Sequence, residues 1–240
     1  MVTSAEIEHA RAYPFDIPKK SYVLGASGPR EIADGDPKPD LAGRHPIIAS
    51  GSNQSPQQLA RKFDLEGGAT VPVLRSRIEN FDSVYSPHFS AYGSIAATLH
   101  FSPGVCADLF TTWLTDAQLQ RMHDTEALGL NYDYGRLDGV RVAIDGVGDC
   151  QTVFAYIGRR GAFCHDNLPV ALADVTAQGR AWSAMTQTQV QTLARDRLAP
   201  GQDLHDFIGE NIDHVDTRHH RTATLAAGAI PFFYDGYRCL

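Results

Sequence analysis

The sequence predicts an α+β fold built on a largely antiparallel sheet, and three observations carry that expectation. Strand-like runs outnumber helical ones through the middle of the chain, three helix starts bear reciprocal capping boxes, and 240 residues with 43% apolar side chains suffice to bury a core unaided. The balance of 21 basic against 28 acidic residues, net −7, leaves few cations to cluster on phosphates, so neither nucleic acid nor a membrane surface is an expected partner. Cys106, Cys150, Cys164 and Cys239 form no C-x-x-C pair, which argues against a zinc knuckle and for buried, reduced thiols. The acidic N-terminal stretch does not read as a signal peptide, and no run approaches the roughly 20 apolar residues of a membrane span, so a soluble, cytoplasmic protein is expected.

From the N-terminus, Pro14, Pro18, Gly25, Gly28, Pro29, Gly35, Pro37, Pro39 and Gly43 break helices and predict an extended arm over residues 1–44, with one strand-like stretch at Ser21–Leu24. Residues 46–50 read as a short buried strand ended by a Gly51-Ser52-Asn53 turn. A helix should follow at once, with Ser55 as N-cap, Pro56 in the first position and Gln58 completing a capping box; Leu59 and Phe63 face inward, Arg61, Lys62 and Asp64 outward. Residues 71–74, 82–85, 94–101 and 108–114 are strand candidates, the last two separated by a Ser102-Pro103-Gly104 turn. Thr115 and Gln118 start the next helix, whose stripe is Leu119, Met122 and Glu126. Strands at 140–144 and 152–157 follow, joined through Gly146 and Gly148. Beyond Gly161 the composition turns helical: one helix from the Thr186–Gln189 box through Val190, Leu193 and Leu198, then a short one with Leu204, Phe207 and Ile208 inward. The apolar residues 230–234 should dock on the core.

Two features suggest chemistry. Glu126 belongs to the apolar stripe of a helix and lies near its C-terminal end, where burial and the negative end of the dipole both disfavour the charged form, a setting suited to general acid–base work. The alternative is that the stripe ends early and Glu126 reaches water. The Gly51-Ser52-Asn53 junction offers a tight glycine turn, an Asn tolerant of left-handed backbone, and N–H groups able to hold a carboxylate; an ordinary turn is the alternative.

In order and spacing, the Gly51-Ser52-Asn53 loop, the Ser102-Pro103-Gly104 turn, the strand ending Thr-Trp-Leu-Thr at Thr115 and the segment Asp116 to Glu126 resemble the gamma-glutamylcyclotransferase-like family over residues 47–157. That resemblance implies a partly closed β-barrel with flanking helices over residues 45–165, the remaining 166–240 forming a helical extension packed on it. It implies that backbone N–H groups around Ser50, Gly51, Ser52 and Asn53 hold a substrate α-carboxylate, that Glu126 is the general acid/base, and that Tyr132 rather than Tyr134 faces the substrate. The implied reaction is cofactor-free: the α-amine of a γ-glutamyl amide attacks its own γ-carbonyl, releasing an amine and 5-oxoproline. Ser50 stands where the family has tyrosine, which predicts a larger or more polar cavity, and Ala127 where it has glycine, with Gly129 two residues on.

A non-catalytic module binding a small carboxylate or peptide end is the second reading, and a homodimer fits either. His214, Asp216, His219 and His220 offer four potential ligands within seven residues, but Arg218 and Arg221 are interleaved with or adjoin them, and solvated loop histidines are expected rather than a metal site. His88, after Tyr85-Ser-Pro, is expected in a turn.

Overall fold

The computed structural model, which describes residues 2–240, has seven main strands, all but the second rich in apolar, β-branched or aromatic residues: β1 (Tyr22–Gly25), β2 (Gly28–Glu31), β3 (His45–Ala49), β4 (Val71–Phe89), β5 (Ile95–Leu114), β6 (Tyr132–Ile144) and β7 (Gly148–Gly158). The helices are α1 (Ser4–Arg11), α2 (Pro56–Lys62), α3 (Asp116–Thr125), α4 (Gln187–Leu198), α5 (Leu204–Asp213) and α6 (Val215–Ala226). β3 pairs antiparallel with β5 and parallel with β7; β7 pairs with β6, β6 with β4, and β4 with β5. That path returns to its start, so β5-β3-β7-β6-β4 is a closed five-stranded barrel with a single parallel pair.

Alternation along the strands sorts residues to the two faces. Ile48, Leu74, Leu109, Leu137 and Val153, one from each barrel strand, share a buried cluster inside the ring. Ile47, next to Ile48 in the chain, packs outside with Phe110, Tyr156, Met122 of α3 and Leu59 of α2. The two helices that border the candidate site are therefore seated on the outer face of β3, β5 and β7.

The four predicted strands between residues 71 and 114 merge into two long ones. Ser102-Pro103-Gly104 is a bulge within β5, not a turn between strands: Glu79 pairs with Cys106 and Phe81 with Phe101, while Asn80 Oδ1 accepts from the Gly104 N–H at 2.9 Å. His88 accordingly lies within β4, buried, rather than in a turn.

The arm expected to be extended over 1–44 begins as a helix. Thr3 and Glu6 form a reciprocal capping box, and Ile7 and Ala10 of α1 pack on Ile208 of α5. The stretch after Gly161 is also less helical than expected. Short two-residue strands at Ala171–Leu172 and Ala177–Gln178 first add to β4 and β5, and only then do α4, α5 and α6 follow. Thr115–Gln118 and Thr186–Gln189 make their capping boxes, but Ser55 makes no cap hydrogen bond and its hydroxyl is buried without a partner. At the C-terminal end Ile230 exchanges backbone hydrogen bonds with Ala162, and Phe232 and Tyr234 pack on the core, whereas Phe233 is exposed. The cysteines are unpaired, and among the described residues no helix is long and apolar enough to cross a membrane.

Candidate functional site

Barrel pairing fixes β3, and the chain leaves it at Ser50. Ser50 is buried and its carbonyl accepts a hydrogen bond from the Ser83 hydroxyl of β4, so the loop that follows starts from a clamped point. Ser52–Gln54 then make one 3₁₀ turn, with Gln54 N–H donating to Gly51 O at 3.2 Å and Ser55 N–H to Ser52 O at 2.9 Å. No acceptor for the N–H groups of Gly51, Ser52 and Asn53 is found among the described residues.

Glycine at 51 is required for a reason the turn alone does not give. Its φ is −139°, not left-handed, but a methyl group there would collide with the Tyr13 hydroxyl. Asn53 is not left-handed either; its contribution is its side chain. Asn53 Nδ2 donates to Glu126 Oε1 at 2.9 Å, and Asn53 Oδ1 is buried with no partner.

Glu126 is the C-cap residue of α3, its N–H donating to Met122 O at 3.1 Å, and its side chain is 12% exposed. Lys62 meets it there. Expected in water, Lys62 is instead 9% exposed and its ammonium donates to the same Oε1 that Asn53 holds, with Met122 Sδ at 3.5 Å on its other side. α2 is short, and Lys62 lies three residues from the inward Leu59, on the buried face; that i+3 spacing was the signal in the sequence. Arg121 Nε donates to Lys62 O at 2.9 Å and locks the end of α2 to α3. A buried ammonium is tolerated only beside a counter-charge. Lys62 and Glu126 thus stabilise each other as an ion pair. Oε2 accepts no hydrogen bond from any described residue.

Glu126, Ser50, Gly51, Ser52, Asn53 and Tyr132 line one cavity of about 40 Å³, together with Tyr13, Ile48, Ala49, Ala97 and Tyr156. The loop residues 50–53, Glu126 and Tyr132, named separately from the sequence, therefore border the same cavity. Tyr132, not Tyr134, reaches it: its hydroxyl donates to Ala97 O at 2.9 Å, while Tyr134 stacks on Phe154 at 5.5 Å between ring centroids. Burial, and then the nearby Glu126 charge, push the Tyr132 hydroxyl far above its ordinary pKa, so it stays a neutral phenol. Tyr13, from the segment after α1, places its hydroxyl beside Gly51. A larger open depression of about 510 Å³ lies elsewhere, lined by mixed charges including Lys19, Asp34, Lys38 and Asp145, with no paired acid and base of this kind.

His214, Asp216, His219 and His220 do not converge. They lie at the start of and along α6, not in a loop, and among the described residues the single group of close ligand atoms is the exposed set Asp203, His205 and Asp206. Asp203 already caps α5 through the N–H groups of His205 and Asp206.

No protein-family model and no curated protein matches this chain. Solved structures similar to it include an uncharacterized protein from Homo sapiens (17% identity, 48% of this chain and 67% of that one, TM-score 0.39). They also include a protein from Arabidopsis thaliana (13% identity, 66% and 87%, TM-score 0.39) and a gamma-glutamyl cyclotransferase (13% identity, 80% and 92%, TM-score 0.38).

Proposed function

We propose that the protein is a cofactor-free cyclotransferase acting on a γ-glutamyl or related amide, with Glu126 as general acid/base. The observation that carries this reading is the junction of Asn53, Lys62 and Glu126 at the cavity, which leaves Glu126 Oε2 available to a ligand. The cavity offers two unfilled acceptors, Glu126 Oε2 and Asn53 Oδ1, close to unfilled N–H donors at residues 51–53. Such a set complements an α-amino acid head, whose amine needs acceptors and whose carboxylate needs donors. In the proposed reaction Glu126 removes a proton from the substrate amine, the amine nitrogen bonds to the γ-carbonyl carbon, and the bond to the leaving nitrogen breaks as Glu126 returns the proton to it. Nucleophile and electrophile belong to one molecule, so holding the substrate in a folded shape supplies much of the acceleration.

Incubation with a panel of γ-glutamyl amides, read by mass spectrometry for 5-oxoproline, tests the proposal. Product that disappears with Glu126→Gln supports it; absence of product from every amide, or undiminished product from the variant, rejects it. One observation favours a second reading, a non-catalytic module for a small carboxylate: a cavity of about 40 Å³ is far smaller than the roughly 300–1,000 Å³ of ordinary ligand pockets. Ligand-induced thermal stabilisation without turnover distinguishes that reading.

A further inference from the structure

We propose that Tyr13, delivered from the N-terminal segment, is a ligand-contacting residue that sets both the polarity and the size limit of the cavity. This rests on the reading of the cavity as a ligand site, though not on turnover there.

Three phenols line the cavity, and their protons have different fates. The Tyr132 hydroxyl donates to Ala97 O, and the Tyr156 hydroxyl is paired with His123 Nδ1 at 2.9 Å. The Tyr13 oxygen accepts from the Ala97 N–H at 2.7 Å, and no described residue accepts its proton. Burial pushes the Tyr13 hydroxyl well above its ordinary pKa, so the proton stays in place. Tyr13 thus has a hydrogen-bond donor to spare among the described residues, and it stands against Gly51. A carboxylate or acyl oxygen in the loop would find that donor next to the backbone N–H groups.

The segment is held on both sides. Ser94 Oγ donates to Ala10 O at 2.8 Å, and Phe15 stacks on His9 at 4.9 Å with the Arg61 guanidinium of α2 at 5.9 Å from its ring. Phe15 has φ +68°, a conformation unfavourable for an aromatic residue and kept by these contacts. Tyr13 is 5% exposed, so its ring is a wall of the cavity rather than a loose cover.

Calorimetric titration with 5-oxoproline, and with γ-glutamyl amides of small and bulky amines, tests the assignment on the full chain. Tyr13→Phe keeps the wall and removes the donor, and is expected to weaken 5-oxoproline binding about tenfold or more, as for a hydrogen bond to a charged group. Tyr13→Ala removes the wall and is expected to shift preference toward the bulkier amide by about tenfold, within the range for one or two buried carbons. If Tyr13→Ala does not fold in a thermal unfolding control, Tyr13→Leu carries the size arm. Unchanged affinity in Tyr13→Phe, or unchanged size preference in the smaller variant, overturns the proposal. Tyr13-dependent binding without 5-oxoproline formation rejects the cyclisation reading alone. A wild-type protein that binds no probe rejects both.

Discussion

Asn53 and Glu126, 73 positions apart in the chain, share a 2.9 Å hydrogen bond to an oxygen that also takes the Lys62 ammonium. Three elements converge on that atom: the loop after β3, the last residue of α2 and the cap of α3.

Replacing Glu126 with Gln should therefore act twice. On the proposed reading, loss of the acid/base group should lower cyclisation by about 10²–10⁴-fold. Loss of the counter-charge leaves Lys62 buried and unpaired, costing about 3–5 kcal/mol of stability. The double variant Glu126→Gln/Lys62→Met should regain much of that stability and none of the activity. Denaturant unfolding of the single and double variants, alongside the 5-oxoproline assay, separates the two effects; a double variant no more stable than the single one would mean the pair is not the source of the loss.

Ala127 follows Glu126 at φ +48°, a left-handed position for a residue with a Cβ. The strain there is about 1–2 kcal/mol, partly offset in a glycine variant by the freedom glycine adds to the unfolded chain. Ala127→Gly should raise stability by up to about 1 kcal/mol. Thermal unfolding reads the sign, and a destabilised variant would show that the Cβ contributes packing worth more than the strain.

These residues show what the sequence made legible. Capping boxes at Thr115 and Thr186 marked real helix starts because their reciprocal bonds are local. Ser55 carried the same pattern and makes no cap, since the 3₁₀ turn before it already directs the chain into α2. Periodicity placed Glu126 beside a buried stripe, but it could not show Lys62 as its partner, because the ion pair spans 64 positions. Tyr13 was hidden for the same reason: its contacts at Gly51 and Ala97 depend on how the N-terminal segment docks, which no local pattern encodes. The merging of four predicted strands into two likewise depends on cross-strand pairing that carries β5 past Pro103 and Gly104.

His88 gives the fold a pH dependence. Burial, and secondarily the Arg160 charge, lower its pKa from 6.5 to about 3, and its Nδ1 has no partner. Between those values the unfolded chain binds the proton and the folded one does not, so stability falls as pH drops through that window. The slope contributed is at most about 1.4 kcal/mol per pH unit. His88→Phe should flatten the acid side of a stability profile measured by urea unfolding from about pH 6 to pH 4. An unchanged slope would assign the acid sensitivity to other groups, among which His100 and His123 are also lowered by burial.

Arg180 extends the same logic from the barrel to the site. Asp82 on β4 is fully buried, and Arg180 donates to both its oxygens, at 2.7 and 2.8 Å, with Trp182 Nε1 at 3.1 Å. Asp82 Oδ1 in turn accepts from the Ser83 N–H at 2.9 Å, and the Ser83 hydroxyl holds the carbonyl of Ser50, where the cavity loop begins. Arg180→Met should cost about 3–5 kcal/mol by leaving the carboxylate buried and unpaired. Because the loss falls one residue from the loop's clamp, ligand binding should weaken in the same variant under conditions where it remains folded. Asp82→Asn/Arg180→Met removes the stranded charge and should recover stability. If binding recovers with it, the charge at Asp82 was disturbing the Ser83–Ser50 contact. If binding stays weak in a stable double variant, the bidentate grip of Arg180 is what keeps β4 in place beneath the loop.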